Sequence, residues 1–207
     1  MYYLPKKNKT DLCLHLLRNT INGKIIIFRR TKFGVDKLEQ TLLKNGYKAT
    51  SIHGDKTQTI RNKAIEGFRK MKFNILIATD VAARGIDINN VDAIINFDIP
   101  NVPETYIHRI GRTGRAEQEG IAISFFNEEE AEYLGEIELL MMKEIEVLDL
   151  PKTIEISTRL IDEEQPRLEP ENKNAKRVIT EPSGPAFHEK KEKNSKKNLG
   201  GSYRREI

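Results

Sequence analysis

This chain of 207 residues cannot cross-link itself through sulfur, because it has one cysteine, Cys13. No disulfide framework is possible within it. Cys13 lies in an apolar helical pattern, which predicts a buried thiol. No apolar run approaches the roughly 18 residues needed to span a bilayer. The N-terminus lacks the apolar core of a secretory signal. The four histidines (His15, His53, His108, His188) lack paired ligand spacing, so no metal site is expected. No internal repeat is present. A reduced, soluble, cytoplasmic protein is the simplest expectation.

The net charge is +4, too small to imply a nucleic-acid partner by itself. Its distribution says more. Residues 176–207 carry nine Lys or Arg against four Asp or Glu, so the rest of the chain is near −1. The basicity belongs to the tail.

Apolar residues are frequent to about residue 150, enough to bury roughly two-thirds of the unfolded surface. Tyr2, Tyr3 and Leu4 read as a strand or linker piece. Thr10 or Asp11 is a candidate cap for a helix carrying Leu12, Leu14, Leu16 and Leu17. Gly23 closes that region. Residues 24–28 form an almost wholly apolar run, as a strand buried on both faces requires. Residues 31–45 then read as a helix with Val35, Leu38, Leu42 and Leu43 on its apolar side. The alternation repeats. Strands are expected at 48–52, 74–79, 93–97 and 120–126. Helices are expected at 57–70, with Ile60, Ala64, Ile65 and Phe68 inward, and at 103–110 behind Pro103. Asn127 is expected to cap a Glu-rich helix reaching about residue 143, with Glu128 to Glu130 as helix N-terminal charge. This pattern predicts an α/β fold: three layers around a mostly parallel central sheet. In such sheets ligands collect at the carboxyl ends of the strands. After residue 150, prolines and polar residues predict linker and disorder, with one short strand-like piece at 153–160.

Polar clusters fall at those carboxyl ends. Thr79 to Asp87 reads Thr-Asp-Val-Ala-Ala-Arg-Gly-Ile-Asp. Its small residues permit a tight turn and close approach, Thr79 offers a hydroxyl to a phosphate, and Asp87 a carboxylate to a ribose. His53-Gly54-Asp55 precedes a helix whose Gln58 and Arg61 are three apart and can share a face. Residues 106–115 read Tyr-Ile-His-Arg-Ile-Gly-Arg-Thr-Gly-Arg. Arg109, Arg112 and Arg115 at spacing three suit a polyphosphate. Taken singly, these clusters also read as a polar strand-to-helix loop, an ordinary capped helix and a solvated basic helix face.

Taken together, the clusters resemble the second, C-terminal RecA-like domain of DEAD-box ATP-dependent RNA helicases. The resemblance covers about residues 11 to 148. Motif IV is similar to Ile25 to Lys32, the Gln-x-x-Arg element to His53 to Arg61, motif V to Ala78 to Asp87, and motif VI to the stretch from Tyr106. The basic tail is similar to that of the bacterial RhlE subgroup. The resemblance implies that Arg112 and Arg115 are arginine fingers for the ATP γ-phosphate. It implies that Asp87 and Gly85 serve the nucleotide and that His108 and Arg109 couple two domains. It places Thr31, Gly54, Gln58, Arg61, Thr79 and Asp80 along the sugar-phosphate backbone of RNA. Two departures are Arg30 within motif IV and Glu117 after motif VI, where the family often has glycine.

ATP hydrolysis also needs a phosphate-cradling loop and a magnesium ligand. No Gly-x-x-x-x-Gly-Lys-Ser/Thr and no Asp-Glu-Ala-Asp occurs. Residues 160–163 mimic the end of a Walker B strand, but no apolar run precedes them. The expected organisation is therefore a linker remnant at 1–10, the helicase C-terminal domain at 11–150 and a basic tail at 151–207, as a truncated, split or excised piece. Two functions follow. One is the C-terminal half of an ATP-dependent RNA helicase, sharing ATP and Mg2+ with an N-terminal RecA-like domain and inactive alone. The other is a non-catalytic RNA-binding or decoy module.

Overall fold

The computed structural model describes residues 1–86, 88, 91–114 and 120–154. Six strands make one sheet: β1 (Tyr2–Tyr3), β2 (Ile25–Phe28), β3 (Ala49–Ile52), β4 (Ile75–Ala78), β5 (Ala93–Asn96) and β6 (Ile121–Phe126). Their order is β1-β6-β5-β2-β4-β3, and every pairing is parallel. The sheet is thus wholly parallel among the described residues. Tyr2 and Tyr3 take the strand alternative, pairing with Phe125 and Phe126.

The run Ile25-Ile26-Ile27-Phe28 explains the layers. Successive side chains in a strand point to opposite faces. Ile25 and Ile27 pack with Leu12, Leu16, Val35, Leu38 and Leu42, from α1 (Lys9–Asn19) and α2 (Lys32–Lys44). Ile26 and Phe28 pack with Ala64 and Phe68 of α3 (Gln58–Arg69) and Ala82 of α4 (Asp80–Ala83). Full burial contributes about 1.5–3 kcal/mol for each such aliphatic side chain. A third cluster joins Tyr106 of α5 (Pro103–Ile110) to Leu134 and Ile137 of α6 (Ala131–Met141).

Several boundaries differ from expectation. A 3-10 turn at Lys6–Asn8 runs into α1, so Thr10 and Asp11 lie inside the first turn instead of capping it. Leu43 is 50% exposed because the buried stripe of α2 runs through Val35, Leu38 and Leu42, one position aside. Ile60 is also 50% exposed, because the first turn of α3 stands at the carboxyl edge of the sheet. Helix α4 occupies part of the segment whose small residues suggest a tight turn. The Glu-rich segment opens as a 3-10 turn, Glu128–Glu130, inside an Asn127 capping box, and α6 stops at Met141. Thr153 sits in a turn, and residues 155–160 lie outside the described residues. Thr31 and Thr57 cap α2 and α3, and Cys13 is buried.

Candidate functional site

The clusters do converge at the carboxyl edge. β2 lies between β4 and β5, so the loops leaving β4 and β5 meet over its end at Phe28. Arg109 binds these elements together. Its Nε and Nη2 donate to Asp80 Oδ1 and Oδ2 at 2.7 and 2.8 Å. Its Nη1 donates to Asn96 Oδ1 at 3.1 Å and to the Asp98 carbonyl at 2.8 Å. The guanidinium lies 4.9 Å from the centre of the Phe28 ring. Arg109 is therefore buried, where spacing alone put it beside Arg112 and Arg115 on one helix face. The helix ends at Ile110 with Gly111 as its cap, so the three-residue spacing does not continue as a helical face.

Arg112 lies past that end, and its Nη1 donates to the Ile86 carbonyl at 3.0 Å. Between α4 and α5 opens a cavity of about 220 Å3. Gly85, His108, Arg109 and Arg112 all line it, with Phe28, Asp80, Ala83, Arg84 and Thr105. Gly85 has φ +73°, a left-handed backbone that glycine adopts freely, and the space a Cβ would occupy is open. Asp87 and Arg115 lie outside the described residues.

The other named residues sit apart from this cavity, apart from Asp80, which joins both groups. Thr31 Oγ1 accepts the Gly34 N–H at 3.0 Å, fixing the loop after β2. Gly54 is exposed after β3. Arg61 donates to Gln58 Oε1 at 3.2 Å, so these two do share a face, and also to the Ala82 carbonyl at 3.2 Å. Thr79 heads α4 and is mostly buried. Lys32 Nζ stands 2.6 Å from Asp55 Oδ2, tying the loops after β2 and β3. That hydrogen bond holds the Asp55 carboxyl below its usual range. His53 is buried, with Nε2 2.9 Å from Asp36 Oδ1.

A charged network under this edge was not expected. Asp98 Oδ2 accepts from Arg29 Nε at 3.0 Å and from the Arg30 N–H at 2.9 Å. Arg30 Nη2 donates to the Ile99 carbonyl at 2.8 Å and to Glu130 Oε1 at 3.1 Å. Lys9 Nζ, wholly buried, donates to Glu130 Oε2 at 2.5 Å. Glu130 is thus an internal anion as well as part of a capping box. Burial pushes the Asp98 carboxyl up, but Arg29, Lys9 and the Arg30 N–H outweigh it and hold it below its ordinary 3.8. Burial lowers the Lys9 ammonium, against the raising pull of Glu130 and Asp98. Asp98 follows β5 directly, so the carboxyl-end rule applied to His53 and Thr79 reaches it too.

A wholly parallel sheet with motif loops gathered on its carboxyl edge defines a RecA-like helicase domain of the C-terminal kind. The chain matches the helicase conserved C-terminal domain family over residues 8–117, and it belongs to that family. It is 45% identical over 146 residues to the ATP-dependent RNA helicase CshA of Listeria monocytogenes, covering 70% of this chain and 28% of that protein. It is 43% identical over 177 residues to the DEAD-box ATP-dependent RNA helicase CshA of Bacillus thuringiensis, covering 83% and 34%. The chain thus spans about a third or less of these curated relatives. Among solved structures, it is similar to the Escherichia coli DEAD-box protein SrmB bound to the regulator of ribonuclease activity A. The TM-score there is 0.68 at 37% identity, covering 73% of this chain and 93% of that one. For a DEAD box protein from Methanococcus jannaschii it is 0.67 at 41% identity, covering 72% and 41%. For the C-terminal domain of the DEAD-box protein Dbp5 it is 0.65 at 36% identity, covering 71% and 86%. The fold is that of DEAD-box C-terminal domains. No helix among the described residues is long and apolar enough to cross a membrane. The likeness of the tail to the RhlE subgroup concerns residues outside those described.

Proposed function

We propose that this chain supplies the C-terminal half of an ATP-dependent RNA helicase acting in the cytoplasm. An N-terminal RecA-like domain would hold ATP by its phosphate loop. The carrying observation is the cavity between α4 and α5, where Arg112, His108 and Gly85 face one space beside the Asp80–Arg109 pair. Arg112 and Arg115 are the arginine fingers of this reading. A guanidinium placed on the γ-phosphate stabilises the charge of phosphoryl transfer and accelerates it about 10³- to 10⁵-fold. Asp87 and Gly85 take the ribose side, and His108 and Arg109 couple the domains. Arg109 does so through Asp80, which links the nucleotide side to the RNA side.

RNA lies along Thr31, Gly54, Gln58, Arg61, Thr79 and Asp80. Contacts to sugar and phosphate position a strand without reading its sequence. The Mg2+ that accompanies ATP finds no cluster of three metal-ligating side chains among the described residues. Its ligands would come from the N-terminal domain. On this reading the chain alone hydrolyses no ATP, and activity appears when the two halves combine. Joining by a covalent linker gives a high effective concentration, so assembly of separate halves is weak. The test is RNA-stimulated ATP hydrolysis by the chain alone and mixed with a separately made N-terminal domain. Turnover by the pure chain, or none at high concentrations of both halves, contradicts the proposal. The latter result with RNA binding intact favours a non-catalytic RNA-binding module.

A further inference from the structure

Three exposed apolar side chains stand where a polar edge is expected. Phe33 is 49% exposed, Ile60 50% and Val81 75%. Each follows by two positions a residue assigned above to the RNA backbone: Thr31 then Phe33, Gln58 then Ile60, Thr79 then Val81. The three segments follow β2, β3 and β4, which are neighbours in the order β2-β4-β3. Side chains in a helix lean towards its N-terminus. Phe33 and Ile60, in the first turns of α2 and α3, therefore lean towards the carboxyl edge.

The charges on this line favour a polyanion. The carboxylates along it each already face a basic side chain: Asp55 with Lys32, Asp80 with Arg109, and Asp36, one turn after Phe33, with His53 and Lys56. Arg61 adds a further cation. A polyanion that also has flat apolar faces is a single-stranded nucleic acid, whose unstacked bases lie on aromatic rings. A protein partner would favour a contiguous apolar patch, whereas here apolar and polar side chains alternate.

We propose that Phe33 is a stacking platform for an unpaired base of the bound RNA, with Ile60 and Val81 packing against the same strand. This rests on the RNA reading above and adds a contact to the bases. The affinity it gives depends on bases being present, not on their order.

The test uses the 207-residue chain, a single-stranded oligouridine and the same oligonucleotide carrying abasic sites, with binding read by fluorescence anisotropy. Phe33→Ala is expected to weaken oligouridine binding on the order of tenfold and to leave abasic binding unchanged. Phe33→Trp should keep or tighten it. Arg61→Ala should weaken both oligonucleotides. Equal oligouridine binding by wild type and Phe33→Ala, with Arg61→Ala weaker, overturns the stacking and leaves the RNA reading standing. No change in either variant overturns both. Equal losses on both oligonucleotides, or a loss confined to association with an N-terminal helicase domain, also overturn the stacking. Since Phe33 is half exposed, its thermal midpoint should stay near wild type, which separates a contact from a folding defect.

Discussion

Asp80 and Arg109 face each other as two parallel hydrogen bonds of 2.7 and 2.8 Å, with the guanidinium buried and the carboxylate at the rim of the cavity. The pair crosses between the two halves of the site, because Asp80 follows β4 and Arg109 sits in α5. A fork-shaped cation is required here, since four donor contacts reach three different residues.

Breaking that pair from either side should therefore unfold the edge. Asp80→Ala leaves Arg109 buried without its counter-charge, which costs about 3–5 kcal/mol. Arg109→Lys keeps the charge but loses the fork, and should fall between wild type and Arg109→Ala. Urea unfolding of the three variants checks the order. Wild-type stability in Asp80→Ala would show that the pair contributes little.

Acid should weaken the fold through Asp98. Its folded carboxyl titrates below the ordinary 3.8. A depressed carboxyl contributes stability that is fully present above the unfolded value and is lost as pH falls through the folded one. Thermal midpoints should be level near neutrality and fall below about pH 4. Asp98→Asn should lower stability at pH 7 by about 3–5 kcal/mol and flatten that acid limb. An unchanged limb would assign the acid sensitivity to other carboxylates.

Cys13 is enclosed, and burial pushes its thiol up to about 12. The reactive species is the thiolate. A thiol reagent at pH 8 should leave the folded chain unlabelled and label it stoichiometrically in urea. Rapid labelling of the native chain would mean that α1 opens readily from the sheet.

RNA binding by the tail should be steeply salt-dependent and blind to sequence. Nine cations in residues 176–207 set an upper bound of about −6 on the slope of log affinity against log salt for a single strand. Deleting these residues should remove most of that slope. Unchanged affinity after the deletion would place binding elsewhere.

The sheet was legible because strands buried on both faces leave unbroken apolar runs, as Ile25 to Phe28 do. Thr57 and Pro103 marked helix starts through local chemistry that a reader can see in sequence. Other features had no local signal. The four residues of α4 are too few to show a helical period. Lys9 and Glu130 meet across 121 positions, and Arg109 and Asp80 across 29, so neither destination is written beside the residue. Spacing indicated three arginines on one face. The turn at Gly111 and the attraction of Asp80 placed Arg109 inside instead. Leu43 and Ile60 were apolar enough to read as core, but burial is decided by where a helix meets the sheet.

The most direct test of the central claim is RNA-stimulated ATP hydrolysis by this chain combined with an N-terminal RecA-like domain, with Arg112→Ala and Arg115→Ala run beside it. The account predicts that turnover falls about 10³- to 10⁵-fold in each variant while RNA binding and domain association persist. Wild-type turnover in both variants would contradict it and remove the arginines from the reaction.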